Sequence, residues 1–134
     1  MVVAVRRGVL DTSVIINIFD RGNERLLEYI LRRYKMIYIP WIVLYEYLYG
    51  HKYLGRDISE RKSAIEKLGI IYNVSQEVLL KALEIDVSLR KKGNIIPFSD
   101  VIIAATTIVL KAELVTLDKR HYERIAGLKL HIVK

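Results

Sequence analysis

The chain has 134 residues, of which 52% are hydrophobic and 28% are charged, and these values exclude a disordered or low-complexity protein. The absence of cysteine excludes a disulfide scaffold, a cysteine zinc site and thiol catalysis. The 22 Lys and Arg residues exceed the 15 Asp and Glu residues by 7, and this positive charge favours a polyanionic partner such as nucleic acid.

Five short segments rich in β-branched residues alternate with longer helical patterns. The predicted elements, in chain order, are a strand at Gly8–Leu10 with the preceding Val2–Val5, helices at Val14–Phe19 and Glu24–Tyr34, a strand at Met36–Ile39, helices at Trp41–Tyr53 and Ser59–Leu68, a strand at Ile70–Asn73, a helix capped by Ser75 that runs to Lys92, a helix from Phe98 or Ser99 to about Lys111, a strand at Glu113–Leu117, a helical turn at Tyr122–Ile125 and a strand at Lys129–Val133. This alternation predicts a parallel α/β sheet with helices on both faces.

We expect residues 1–134 to form a single domain, because no Pro-, Gly- or Ser-rich linker divides them. The longest apolar run, Val101–Leu110, has about half of the ~18 residues that a membrane span needs. Near the N-terminus the apolar residues precede Arg6 and Arg7, which is the reverse of a secretory signal peptide. These patterns favour a cytoplasmic location without a membrane partner.

Four carboxylates occupy positions of special interest in such a sheet. Asp11 and Asp118 directly follow predicted strands, and the carboxyl ends of parallel strands share one edge of the sheet. Glu46 and Asp100 lie in helices that are otherwise apolar, where an ionised carboxylate is costly to bury unless it is paired or bound to a metal.

Each of these acids also has a purely structural explanation. Asp11 can cap a helix, Glu46 can face solvent, Asp100 can complement a helix dipole and Asp118 can begin a turn. These alternatives stay open for each position taken alone.

The four acids together indicate a metal site, because the sequence shows no obvious basic partners for them. At about 4 Å and an effective dielectric constant near 20, each like-charge pair costs on the order of 4 kcal/mol. Mg²⁺ or Mn²⁺ would neutralise the cluster, since these ions prefer carboxylate oxygens and water as ligands. A metal held in this way can activate water for phosphodiester hydrolysis.

The segments around the four acids resemble a known family. They are VLDTSVII (Val9–Ile16), VLYEY (Val43–Tyr47), IPFSDVIIAA (Ile96–Ala105) and LVTLDKRHY (Leu114–Tyr122), followed by ERIAGLKL (Glu123–Leu130). In this order they resemble the PIN-domain family, and within it the VapC-type toxin ribonucleases of VapBC toxin–antitoxin modules. The resemblance covers roughly residues 8 to 133. It implies a three-layer α/β/α PIN-like domain with a central parallel sheet of about five strands.

By this resemblance, all four acids are catalytic residues that bind Mg²⁺ or Mn²⁺. Asp11 and Asp100 would be the most direct ligands, whereas Glu46 and Asp118 would complete the site, directly or through water.

The resemblance also concerns the residues around the acids. Ser13 and Thr116 stand where hydroxyl groups support the acidic cluster by hydrogen bonding in the family. Many relatives have an Asp followed by an aromatic residue where this chain has His121 and Tyr122, and Asn or Asp at the place of Asp118. The departure lies at His121, and it makes the fourth acid, Asp118, the one that the resemblance supports least, although Asp118 is itself a carboxylate. We expect His121 to be a surface residue and neither a ligand nor a general base.

Basic and aromatic residues suggest where partners bind. Lys119 and Arg120 are the cations nearest to the proposed site and are the candidates for RNA contact. A group of tyrosines on one predicted helix could stack on RNA bases, but such groups more often form a core or a subunit interface; they are Tyr45, Tyr47, Tyr49 and Tyr53. In the resembled family this region contributes to homodimer packing, so we expect a homodimer.

The sequence therefore predicts a Mg²⁺- or Mn²⁺-dependent endoribonuclease. As a VapC-type toxin it would cleave structured RNA, such as tRNA or rRNA, and a cognate VapB-type antitoxin would inhibit it. Two alternatives stay open, namely a PIN-domain nuclease of RNA processing or quality control without an antitoxin, and a non-catalytic RNA-binding PIN scaffold. Four intact acids argue against the scaffold. A phosphoacceptor domain is disfavoured, because the third predicted strand ends at Asn73–Ser75 without an Asp.

Overall fold

The computed structural model describes residues 5–134, which contain five strands and six α-helices. In chain order these are β1 (Arg7–Leu10), α1 (Thr12–Phe19), α2 (Glu24–Arg33), β2 (Met36–Pro40), α3 (Trp41–Tyr53), α4 (Ser59–Leu68), β3 (Ile70–Tyr72), α5 (Gln76–Lys91), α6 (Phe98–Val109), β4 (Glu113–Thr116), a 3₁₀ turn at Tyr122–Arg124 and β5 (Leu130–Ile132). Every element predicted within the described residues is present, and the predicted bounds of α3 and α4 are confirmed to the residue.

The differences lie at the ends of elements. The predicted strand at Val2–Val5 is wrong for Val5, which precedes β1, and its other residues lie outside the described part of the chain. The prediction that α6 continues to about Lys111 is also wrong. Lys111 adopts a left-handed backbone conformation with φ of 53°, which cannot continue a right-handed helix.

All five strands are parallel and have the spatial order β3-β2-β1-β4-β5. The chain therefore moves in one direction from β1 to β3 and then returns past β1 to β4 and β5. Because parallel crossovers are right-handed, this reversal places helices on both faces of the sheet and confirms the three-layer architecture. The strand order reverses between β1 and β4, and open α/β sheets bind ligands at the carboxyl end of such a switch point.

Side-chain caps fix where several helices begin. Asp11, Asn23 and Ser75 precede α1, α2 and α5, and each side chain accepts a hydrogen bond from a backbone N–H in the first turn of its helix. Gly93, with φ of 74°, follows the basic end of α5 in the left-handed conformation that the sequence predicts there.

The core consists of the sheet and the apolar faces of the helices against it. Val9, Leu10 and Leu114 on the central strands are fully buried, and α6 is buried along most of its length. The buried hydroxyl groups of Thr106 and Thr107 donate hydrogen bonds to carbonyl groups one turn earlier in α6, so that they are satisfied inside the core. In residues 5–134, no helix has both the length and the hydropathy to cross a membrane.

The ring of Tyr34 packs directly over Gly8 in the central strand. A β-carbon at position 8 would lie 2.8 Å from Cγ of Tyr34, so no larger residue fits without movement. The Tyr34 hydroxyl donates a hydrogen bond of 2.6 Å to Glu113, and this contact holds the ring in place. The glycine therefore permits a close approach between the end of α2 and the sheet.

Candidate active site

A cavity of about 260 Å³ lies at the carboxyl end of the sheet, beside the switch point between β1 and β4. All four carboxylates singled out in the sequence line it, although they come from separate parts of the chain. The remaining lining residues are Thr12, Ser13, Ser99, Ile103, His121 and Tyr122.

Asp11 is the most deeply buried of the four acids, with 5% of its surface exposed. Its carboxylate accepts hydrogen bonds from the hydroxyl groups of Ser13 and Thr116 and from the backbone N–H of Val14. Burial raises the pKa of Asp11, since the charged form loses hydration, and the charge of Asp100 acts in the same direction. The three hydrogen bonds lower this pKa again without cancelling the rise.

Ser13 and Thr116 also connect the start of α1 to the loop after β4. Ser13 Oγ accepts a hydrogen bond of 3.2 Å from the backbone N–H of Leu117, and Thr116 Oγ1 accepts one of 3.0 Å from the backbone N–H of Asp118. Both hydroxyl groups contact Asp11 as well, so they fix the position of the loop relative to the buried carboxylate.

Asp100 lies in the first turn of α6 and is engaged through both carboxylate oxygens. Oδ2 is 2.7 Å from Nδ1 of His121, and Oδ1 accepts a hydrogen bond of 3.2 Å from the hydroxyl of Tyr122. Tyr122 is buried, and this burial together with the charges of Asp11 and Asp100 raises the pKa of its hydroxyl. Tyr122 therefore remains a hydrogen-bond donor to Asp100 at physiological pH.

His121 is partly exposed, as predicted for a surface residue, but the prediction did not include its contact with Asp100. Its side chain is 43% exposed, yet it also lines the cavity and touches Asp100.

Asp118 lies at the rim of the cavity and pairs with Arg120. The guanidinium donates to both carboxylate oxygens at 2.8 to 3.2 Å, and the backbone N–H of Arg120 donates to Oδ1 at 3.0 Å. These hydrogen bonds lower the pKa of Asp118 to about 2. The sequence interpretation that the acids lack basic partners is therefore wrong for Asp118, and Asp100 also has a neighbour that the sequence did not reveal, the imidazole of His121. The reason is the tight turn after β4, which folds Arg120 back onto Asp118 two residues earlier.

Glu46 is exposed on α3, and its Oε1 accepts a hydrogen bond of 3.1 Å from the Thr12 hydroxyl at the start of α1. A separate polar cluster holds α3 in place on the other side. There Asp20, at the end of α1, accepts hydrogen bonds from Tyr47 and from Arg61 on α4, and its carboxylate lies 3.0 Å from Nε2 of His51. This cluster links three helices and so fixes the helix that carries Glu46.

Oxygen donors from four carboxylates match the ligand chemistry of Mg²⁺ and Mn²⁺. As the side chains stand, no three acid or histidine groups within the described residues are arranged to hold a metal ion. Each of the four carboxylates also contacts a polar group of the protein. The donor set fits the ion by its chemistry and by its place around one cavity.

A model of the PIN domain family matches residues 8–128. The chain belongs to the PIN domain family. It is similar to a VapC ribonuclease of Pyrococcus furiosus, with 27% identity over 113 residues that span 84% of this chain and 75% of that protein. It is also similar to ribonuclease VapC1 of Methanocaldococcus jannaschii, with 30% identity over 130 residues that span 92% of this chain and 85% of that protein.

Solved structures show the same fold as this PIN domain. One is VapBC2 from Rickettsia felis bound to a DNA fragment from their promoter, with a TM-score of 0.82 and 24% identity over 96% of this chain and 99% of that one. Another is DNA-bound VapBC from Salmonella typhimurium, with a TM-score of 0.80 and 22% identity over 95% of this chain and 98% of that one. Together they confirm the PIN fold that the sequence resemblance implied.

One face of α3 in this PIN domain exposes four aromatic rings, one helical turn apart. Trp41, Tyr45, Tyr49 and Tyr53 stack in succession, with ring centroids 5.2, 6.0 and 6.2 Å apart. Their exposed fractions range from 47% to 79%. The prediction for the tyrosines was a core or a subunit interface: Tyr47 lies in the core, whereas the other three tyrosines are exposed, and the subunit interface stays a prediction for them. We call Trp41, Tyr45, Tyr49 and Tyr53 the aromatic stripe.

The sequence analysis did not identify three residues that belong to the cavity or to the aromatic stripe. Thr12 and Tyr122 contact Glu46 and Asp100, respectively, and no spacing rule in the sequence predicts either pairing. Trp41 could have been found, since it precedes Tyr45 by the four residues that place two side chains on one helix face.

Proposed function

We propose that this PIN domain is a divalent-metal-dependent endoribonuclease of the VapC type. The observation that carries the proposal is the placement of Asp11, Glu46, Asp100 and Asp118 around one cavity at the switch point of the sheet. The similarity to two VapC ribonucleases supports the same activity.

The four acids differ in burial, and we assign their roles in metal binding accordingly. Asp11 and Asp100 lie deepest and would bind Mg²⁺ or Mn²⁺, whereas the more exposed Glu46 and Asp118 would complete the site directly or through water. The bound ion supplies Lewis acidity that activates water and stabilises charge on the phosphate. A buried carboxylate with a raised pKa, as at Asp11, is unfavourable without such a cation.

Neighbouring hydroxyl groups support this arrangement. Ser13 and Thr116 hold the carboxylate of Asp11, and Tyr122 donates to one oxygen of Asp100. Groups that orient metal ligands in this way set both the geometry of the site and its affinity for the ion.

The proposed substrate is structured RNA, such as tRNA or rRNA. The net charge of +7 favours a polyanion, and Lys119 and Arg120 are exposed beside the cavity, where they would contact phosphates. We place this activity in the cytoplasm, where both of these RNAs are found.

A VapB-type antitoxin is the proposed protein partner, in keeping with the VapBC complexes that share this fold. The proposed homodimer uses the aromatic stripe, because exposed aromatic surface of this extent is typical of a protein interface. A stripe of four similar rings on one helix suits packing against a second copy of itself about a two-fold axis.

Cleavage of purified total RNA tests the nuclease proposal. We expect cleavage that EDTA stops and that Mg²⁺ or Mn²⁺ restores. Asp11→Asn and Asp100→Asn should each abolish cleavage while the protein stays folded by circular dichroism. Asp86→Asn on α5, outside the cavity, is the matched control and should cleave like the wild type. Cleavage that persists in EDTA or in either active-site variant contradicts the proposal.

The toxin role needs a separate experiment in cells. We expect expression of the wild-type chain to arrest growth, and co-expression of the adjacent antitoxin gene to restore it. Asp11→Asn should be harmless when expressed alone. Normal growth with the active wild-type enzyme would favour a housekeeping nuclease.

A further inference from the structure

The ion pair between Arg120 and Asp118 is exposed at the rim of the candidate active site. The guanidinium contacts both oxygens of the carboxylate, the shortest distance being 2.8 Å from Nη2 to Oδ2. The side chains of Arg120 and Asp118 are 80% and 44% exposed, respectively. Exposed ion pairs contribute little to stability, since water competes for both partners, so Arg120 can leave at low cost.

Arg120 and a metal ion would compete for the carboxylate oxygens of Asp118. The two oxygens accept three hydrogen bonds from the guanidinium, and Asp118 lines the same cavity as Asp11, Glu46 and Asp100, so a metal ion bound there would compete with Arg120 for these oxygens. A divalent ion carries twice the charge of Arg120 and meets more than one carboxylate, so it competes effectively for Asp118.

Arg120 would then lose its partner but not its charge. The guanidinium stays protonated at every physiological pH, and its planar group of N–H donors matches the oxygens of a phosphate. Its position two residues after Asp118 keeps it at the cavity rim, where the RNA backbone would pass during cleavage.

We propose that Arg120 exchanges partners during the reaction, holding Asp118 in the metal-free enzyme and binding a substrate phosphate once a metal ion has taken Asp118. This exchange rests on the metal-dependent RNA cleavage proposed above, and it makes Arg120 the residue that couples metal binding to RNA binding. Lys119, which is also exposed, makes no side-chain hydrogen bond or ion pair with a cavity acid within residues 5–134, so it would contact RNA without such coupling.

Metal affinity tests the first half of the exchange without relying on catalysis. Free Mn²⁺ is measured by electron paramagnetic resonance during titration of the wild type, Arg120→Ala and Lys119→Ala. Because Arg120 competes with the metal, Arg120→Ala should bind Mn²⁺ about 2- to 5-fold more tightly than the wild type. Lys119→Ala is the matched control and should change Mn²⁺ affinity much less.

RNA affinity tests the second half. Fluorescence anisotropy measures binding of a fluorescein-labelled RNA oligonucleotide that stays intact on a gel, with and without Mn²⁺ at constant ionic strength. Mn²⁺ should strengthen wild-type RNA binding by about 5-fold or more. Arg120→Ala should lose most of this gain. Lys119→Ala should bind RNA more weakly under both conditions and keep the gain.

The outcomes separate the exchange from the function on which it rests. Tighter Mn²⁺ binding together with a reduced RNA gain in Arg120→Ala supports the exchange. If the wild type binds Mn²⁺ but Arg120→Ala leaves either quantity unchanged, the exchange is overturned and the metal-dependent nuclease stands. Failure of the wild type to bind Mn²⁺ overturns both. Circular dichroism spectra of the variants establish that these exposed substitutions leave the fold intact.

Discussion

The hydroxyl group of Thr116 donates a hydrogen bond to the buried carboxylate of Asp11, although the two residues are 105 positions apart in the chain. Thr116 ends β4 and Asp11 directly follows β1, so the contact joins the two strands that flank the switch point. It holds a buried carboxylate at the centre of the candidate active site. Burial of a carboxylate opposes its ionisation, and the pKa of Asp11 is raised accordingly.

The first prediction concerns the stability of Asp11→Asn. Burial raises the pKa of Asp11 above its ordinary value of 3.8, so the folded chain resists ionisation that the unfolded chain permits. The amide removes this penalty, and we expect the free energy of unfolding at neutral pH to increase by on the order of 1 kcal/mol. Chemical denaturation of both proteins measures the gain.

The raised pKa of Asp11 also determines whether the free energy of unfolding rises or falls with pH. Between pH 3.8 and the raised pKa, unfolding releases the proton of Asp11, so wild-type stability falls as pH increases through this window. The advantage of Asp11→Asn should therefore grow across the window and stay constant above it. Asp118→Asn is the control with the opposite shift, because its pKa is lowered to about 2. An advantage of Asp11→Asn that is largest in acid would contradict the assignment.

The second prediction concerns metal removal. Mg²⁺ or Mn²⁺ should raise the melting temperature of the wild-type chain, since an ion that binds only the folded state stabilises it. EDTA should reverse the effect. Asp11→Asn and Asp100→Asn should melt at the same temperature with and without the metal, whereas Asp86→Asn should respond like the wild type. A metal-dependent rise that survives in both active-site variants would place the ion elsewhere.

The third prediction concerns Tyr122, which donates a hydrogen bond of 3.2 Å to Asp100. Tyr122→Phe keeps the buried ring and removes only the hydroxyl. Loss of a group that orients a metal ligand should weaken Mn²⁺ binding by about 10-fold, measured by titration. Tyr72→Phe is the matched control, because Tyr72 packs edge-on against Tyr38 away from the cavity. Equal affinities in the two variants would show that Tyr122 has no part in metal binding.

The fourth prediction uses two glycines in different surroundings. Gly8→Ala places a β-carbon 2.8 Å from the ring of Tyr34, which Glu113 holds in place, and should destabilise the protein by about 1–3 kcal/mol. Gly50→Ala in α3 meets no atom within 4 Å and should stabilise by about 0.5–1 kcal/mol. Denaturant unfolding measures the change in the free energy of unfolding relative to the wild type, and this change should be negative for Gly8→Ala and positive for Gly50→Ala.

The fifth prediction concerns the aromatic stripe. Tyr45→Glu together with Tyr49→Glu places two charges on the face proposed for the homodimer and should convert the protein to a monomer. Leu31→Glu on α2 is the control, since Leu31 is similarly exposed outside the stripe. Sedimentation velocity distinguishes the outcomes. A wild-type chain that sediments as a monomer would exclude the homodimer.

Local patterns were sufficient to predict most of the fold. The apolar run of α3 after Pro40, the cap at Ser75 and the left-handed Gly93 each depend on interactions within a few residues, so they could be inferred before any tertiary contact was known. The end of α6 could not be predicted, because Lys111 adopts a conformation that residues other than glycine seldom take.

The sequence by itself determined the succession of strands and helices along the chain. It also identified the four acids that follow strands or lie within apolar helices. Only the tertiary structure decided what each acid contacts. Arg120 folds back on Asp118, His121 reaches Asp100, and Thr116 meets Asp11 from the far end of the chain. Hydrogen bonds and burial depend on which distant segments pack together, and a pattern along the chain carries no distance between such segments. The charge of +7 suggested a nucleic-acid partner, but it was the sheet that brought the four negative charges to one cavity.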